Sequence, residues 1–193
     1  MRHMCSKVLL AIAFSCGLST THAATVACTE QVTGCDFTFD GVFPSQGQQW
    51  QTQTAWWEGL AGTVTFDLGG KVLLKGLEAS LDNNDSFLIQ VSLDGQAWTD
   101  LTTVSANQGS VGWGMDRFST EASSPFFLST LAFAPTEAAF LRLKAIDGDN
   151  LYSIGEVSLS VSAVPEAHAA GLLAAGLVVA GGVLGARRRS PQN

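Results

Sequence analysis

Histidine is scarce in this chain and badly placed for chemistry. There are three, His3, His22 and His168, and all fall in the two apolar ends, so residues 24–162 hold none. Without an imidazole that stretch can build no Ser-His-Asp triad, no Cys-His dyad and no His-ligated zinc site. Positive charge is nearly as scarce. Sixteen acidic residues face five basic ones there, Lys71, Lys75, Arg117, Arg142 and Lys144, a net charge of −11. So acidic a surface repels phosphate backbones, which argues against nucleic acid as a partner. Neutral glycans, divalent cations and basic partners remain compatible with it. Of four cysteines, Cys5 and Cys16 lie in the N-terminal apolar stretch, leaving Cys28 and Cys35. Their spacing is not C-x-x-C and no histidine is near, so an even pair in an exported domain reads as a disulfide. Closing so short a loop is worth about 2–3 kcal/mol.

The two ends are targeting segments. Arg2 and Lys7 precede an apolar stretch from Val8 to Leu18, and Thr21 to Ala23 offer small side chains before a cut. Residues 1–23 are a Sec signal peptide cleaved after Ala23. At the other end, residues 163–193, Val164, Pro165 and Glu166 are followed by a small and apolar run over 167–186 and then by Arg187, Arg188 and Arg189. Twenty residues at helical rise span about 30 Å, enough for one transmembrane helix, with the arginines on the cytoplasmic side. This tail resembles the PEP-CTERM sorting signal of Gram-negative bacteria, although Ala167 stands where that family usually has a second proline. The resemblance implies recognition by an exosortase. The chain would be anchored in the inner membrane only briefly, then released to the cell surface or extracellular matrix of a cell that makes exopolysaccharide. A plain single-pass anchor is the other reading, and both put the domain outside the cytoplasm.

Between the ends lies one domain, large enough to bury a core. Its signal is period-two alternation. In TVTFDL (63–68), Val64, Phe66 and Leu68 share a face, and in SFLIQVSL (86–93) Phe87, Ile89, Val91 and Leu93 do so. Asp94 and Gly95 then turn the chain toward Trp98 and Leu101, a hairpin signal. FFLSTLAF (126–133), FLRLKA (140–145) and EVSLSVS (156–162) continue the pattern, while 105–124 reads as a loop. No segment makes an amphipathic helix. Short strands punctuated by Gly, Asp and Asn predict an all-β, antiparallel β-sandwich.

The runs VSLDGQAWTDL (91–101) and AAFLRLKAIDGDNLYSIGEVSL (138–159) resemble the galactose-binding-like jelly roll of discoidin and coagulation-factor C-type domains. That resemblance covers roughly Val64 to Leu159 and implies eight strands, with loops at one end that commonly hold carbohydrate or lipid. Fold alone does not confer that role.

Five tryptophans are candidate sugar platforms, since a flat indole stacks on a sugar's apolar face at little entropic cost. Trp113 sits between glycines in GSVGWGMDRF, a loop tip that brings Arg117 close in sequence. Adjacent Trp56 and Trp57 point to opposite faces if extended, so one of them is a candidate for exposure; Trp50 is less defined, and Trp98 is expected inside the core. Asp147, Asp149 and Glu156 are candidate oxygen ligands for a structural calcium ion. In the resembled family a Glu opening the last strand ligates calcium with N-terminal acids, which implies Glu156 with Asp36 or Asp40. DNNDS (82–86) reads as a plain turn. The sum is a non-enzymatic, exported module that binds exopolysaccharide; a structural or adhesive matrix protein without a ligand is the alternative, and a glycoside-acting carboxylate pair a minor one.

Overall fold

A computed structural model describes residues 24–164; the expected signal peptide, Pro165, Glu166, the apolar run and Arg187 to Arg189 lie outside them. Eight strands run in the order β1 (Thr25–Cys28), β2 (Ala55–Glu58), β3 (Thr63–Asp82), β4 (Ser86–Ser92), β5 (Thr99–Val104), β6 (Met115–Ser119), β7 (Thr136–Asp147) and β8 (Leu151–Ala163). All pair antiparallel. Among the described residues no helix is long and apolar enough to cross a membrane.

β3 organises the rest. Its first arm pairs with β1 and β7, its second with β8 and β6, and β7 continues past a register break between Asp67 and Val72 to pair with Val72, Leu73 and Leu74. Gly69 (φ 73°) and Gly70 (φ 138°) take the backbone through that corner, where a side chain would be strained. One layer of the sandwich is therefore β1-β3-β7-β4-β5 and the other β2-β8-β3-β6, joined through a single bent strand. Apolar residues from both inner faces fill one core: Phe66, Ile89, Leu141 and Leu143 from the first layer, Leu74, Leu81, Ile154 and Phe118 from the second. Among the described residues, 24–164, the strand pairings and the core close on one another, so this segment forms one folding unit.

Several expectations change. Trp57 does not reach solvent: it is fully buried, edge-on to Phe87 at 6.4 Å and tilted against Tyr152 at 5.9 Å. The alternation of β2 sends it inward and its neighbour Trp56 outward, half-buried against Trp50. Trp98 leaves the core instead, lying on the outer face with the Arg142 guanidinium 4.0 Å from its ring. The segment 126–133 is not a strand; Phe126 and Leu128 bridge to Ser119 and a 3-10 turn follows at Ser129–Leu131. Conversely, the stretch read as a loop contains β6. Its apolar alternation is hidden because Asp116 shares a face with core residue Phe118, while Met115 on the other face is buried with its sulfur against the Ser153 hydroxyl of β8 and its backbone bonded to Gly47 and Gln48.

The Cys28–Cys35 disulfide is present. The Asp94–Gly95 hairpin is also as expected, with Gln96 and Ala97 amides donating to Asp94 and holding its carboxyl below the usual range. Trp57→Ala should cost about 3–5 kcal/mol, because a buried indole leaves a cavity that two β-layers cannot close. Urea unfolding of the Ala24–Val164 fragment measures this, and a change below about 1 kcal/mol would show that the ring is not in the core.

Candidate ligand-binding loop end

The chain begins and ends its described residues near the β3 corner, as the pairs Thr25 with Asp67 and Val72 with Ala163 show. At the opposite end four connections meet: β2–β3, β3–β4, β5–β6 and β7–β8. They are stitched side by side. The Gly59 amide donates to the Asn150 carbonyl at 3.0 Å, and the Asp149 amide to Asp85 Oδ1 at 3.3 Å. The Asn107 amide donates to the Asn83 carbonyl at 2.7 Å, and the Asn83 amide to the Gly114 carbonyl at 3.0 Å.

Trp113 stands on the β5–β6 connection and is 63% exposed, the largest exposed hydrophobic side chain among the described residues. Its loop is held from beneath by Asp116, which is 1% exposed. The Asp116 carboxylate accepts the amides of Ser110 (2.7 Å) and Val111 (3.1 Å), Nε2 of Gln46 (2.8 Å) and Nδ2 of Asn83 (3.2 Å). With the Arg117 amide (2.8 Å) and the Ser110 hydroxyl (3.3 Å), six donors satisfy a buried carboxyl group that would otherwise be costly. Gly114 has φ 69°, and a Cβ there would fall 2.5 Å from the Gln48 carbonyl oxygen. The loop is thus pinned on both sides of the indole, and the ring is exposed without being carried on a free tip.

Arg117 does not join Trp113. It projects from the other face of β6, pairs with Glu78 and stacks between the rings of Phe43 (3.6 Å) and Phe126 (4.6 Å). It lines a separate groove of about 380 Å³ with Glu121, Ser158 and Ser160. Trp56, half-buried on β2, lies outside the loop cluster as well.

The acidic candidates also divide. Asp147 and Asp149 are exposed in the β7–β8 turn, within the loop end. Glu156 lies further along β8, where the register shifts, and its Oε2 accepts the Gly41 amide at 2.9 Å. Burial raises its pKa, Gly41 opposes that, and nearby Asp40 adds to it. Among the described residues no three His, Cys, Asp or Glu side chains are gathered so as to hold a metal ion. Neither the trio Asp147, Asp149 and Glu156 nor the set Asp36, Asp40 and Glu156 therefore forms a carboxylate cage, because the β8 register shift turns Glu156 toward the N-terminal segment.

What sequence reasoning missed is the β3–β4 turn. Asp82 and Asp85, read as turn formers, are 3% and 1% exposed. Burial, then the charge of Asp149, pushes Asp82 up to about 6; burial, then the charge of Asp82, pushes Asp85 up to about 8. Nothing in the sequence distinguishes these acids from ordinary turn formers, since D-N-N-D suits a solvated turn equally well.

No family model matches the sequence, and no curated protein is similar to it. Solved structures match the fold. The CBM32 module of AlyQ, in complex with 4,5-unsaturated mannuronic acid, gives a TM-score of 0.50 at 19% identity over 70% of this chain and 93% of that one. The C-terminal domain of a chitobiase from Bacteroides fragilis gives 0.51 at 11% identity over 75% and 97%. A family 89 glycoside hydrolase from Clostridium perfringens gives 0.51 at 16% identity over 76% of this chain and 15% of that one. The domain accordingly has the discoidin-like β-sandwich fold found in carbohydrate-binding modules.

Raised carboxyl pKa values carry a stability consequence with a definite sign. Between the ordinary value of 3.8 and the folded values of about 6 and about 8, the folded state holds protons that the unfolded chain has released. Stability is therefore full at low pH and is lost as the pH rises through that window. Thermal melts in chelator-treated buffer should show the midpoint falling from pH 5 to pH 8, with Asp85→Asn flattening most of the decline. A midpoint that rises with pH would contradict the burial of these acids.

Proposed function

We propose that the protein is an exported, non-enzymatic carbohydrate-binding module that presents Trp113 from the loop end to a polysaccharide. The observation that carries this is one exposed indole on a pinned loop, in a sandwich whose fold is shared with carbohydrate-binding modules. Preorganisation matters here, because a ring already fixed in its bound position loses little entropy when a sugar stacks on it.

The electrostatics narrow the ligand class. The loop-end connections carry Asp85 and Asn84 in β3–β4 and Gly148, Asp149 and Asn150 in β7–β8, with no lysine or arginine in any of the four. A uronate polymer would meet repulsion there without a guanidinium or ammonium to offset it. A neutral polysaccharide fits better. In the same proposal the N-terminal segment directs Sec export, and the tail is read by an exosortase that sorts the module into an exopolysaccharide matrix; the tail's apolar run and arginines support this.

A purely structural matrix protein is the second reading, and the other four indoles favour it: Trp57 in the core, Trp50 on Trp56, Trp98 on Arg142. Trp113 decides between the two. Tryptophan fluorescence of the Ala24–Val164 fragment, titrated with exopolysaccharide from the producing organism and with neutral glycans on an array, should show a saturable shift. Trp113→Ala should raise the Kd about 30-fold while altering stability by less than about 0.5 kcal/mol. Wild-type protein that gives no saturable response would leave the structural reading as the better one.

A further inference from the structure

The β3–β4 turn holds two buried carboxylates with a feature the sugar-binding proposal does not use. Asp82 Oδ1 and Asp85 Oδ2 are inaccessible to solvent and meet no hydrogen-bond donor among the described residues. This is unusual, since buried acceptors are normally satisfied, and a buried carboxylate without a partner is among the costliest arrangements a fold can carry.

The β3–β4 and β7–β8 turns are fastened to each other. Asp85 is wedged into the β7–β8 turn: its Oδ1 accepts the Asp149 amide, and a Cβ on Gly148 would fall 2.0 Å from that same oxygen. Across the turn, Asn84 Nδ2 donates to Asp149 Oδ2 at 2.9 Å. Asp82 acts on Asp85 through its charge, Asp149 acts on both, and Asp147 acts on Asp85. These four acids lie on or beside two adjoining connections, and among the described residues none of the five basic side chains is hydrogen-bonded or ion-paired to any of them. Arg117 is committed to Glu78, Lys71 to Glu137, and Arg142 to Gln90.

We propose that Asp82 and Asp85, with the acidic β7–β8 turn beside them, bind a hard divalent cation of the calcium type that ties the two connections together. Two buried carboxylates form the base, and backbone carbonyls of the turns and water complete the oxygen shell such an ion takes. As they stand the side chains do not form a three-carboxylate cage, so the proposal requires the exposed Asp147 and Asp149 to be drawn in by the ion. This site is separate from Glu156, whose Oε2 holds Gly41. It does not depend on whether Trp113 binds sugar.

Calcium titrated calorimetrically into chelator-stripped Ala24–Val164 fragment should bind one to one and raise the thermal midpoint. Terbium should give luminescence sensitised by Tyr152 and Trp57, whose rings are 5.9 Å apart in the core beneath the turn. Asp82→Asn and Asp85→Asn should each weaken calcium binding ~10- to 100-fold. Without calcium these variants should melt no lower than the parent, because each removes a repelling charge. That combination separates a cation site from a fold-supporting hydrogen bond. Glu156→Gln should leave calcium binding unchanged. Absence of calcium binding by the folded parent overturns the proposal, as does binding that survives Asp85→Asn or is lost with Glu156→Gln.

Discussion

The bend in β3 is the constraint on which the remaining structure rests. A single strand of 20 residues contributes to both layers, so its two arms hold the layers in register before any side chain packs. Leu74, Leu77 and Leu81 on the second arm then face Val64 and Phe66 on the first across a shared core. The bend also fixes polarity. Because both termini of the sandwich return to the Gly69–Gly70 corner, the four connections at the other end are left clear of the chain's entry and exit, which is the geometry a binding end requires.

Charge is distributed against this frame. Arg117 and Arg142 are spent on the outer faces, each stacked on aromatic rings and bonded to a side-chain acceptor. The guanidinium planes suit that use, being weakly hydrated and flat. The loop end receives acids instead, and two of them are buried. A net charge of −11 in the domain is therefore not a uniform skin that keeps the protein soluble. Part of it is concentrated where the connections meet, at a cost to stability that rises with pH.

Legibility in the sequence followed the alternation. TVTFDL, FLRLKA and most of SFLIQVSL lie in strands because alternate apolar residues face one core, although Gln90 and Ser92 are buried and Leu93 is exposed, and Asp94–Gly95 could be read because turn chemistry is local. β6 was illegible for the converse reason: its outer face is covered by a distant segment, and its inner face carries Asp116, so neither side shows the expected pattern. Trp56 and Trp57 were correctly placed on opposite faces, but which one was buried depended on pairing with β8, a contact about a hundred residues away in the chain. Among the candidate residues, Trp113 was legible as an exposed loop residue from its flanking glycines. Asp82 and Asp85 were not, since composition is the same for a solvated turn and a buried one.

The turn that carries the buried acids also supports the aromatic platform, and this links the two halves of the loop end. Asn83 lies between Asp82 and Asp85 in sequence. Its amide and carbonyl bond the β5–β6 connection at Gly114 and Asn107, and its side chain donates to Asp116, the group that pins the Trp113 loop. Asn83 supplies one of the six donors that satisfy the buried Asp116 carboxyl group. One asparagine thus ties the connection that presents the exposed indole to the turn that carries the buried acids.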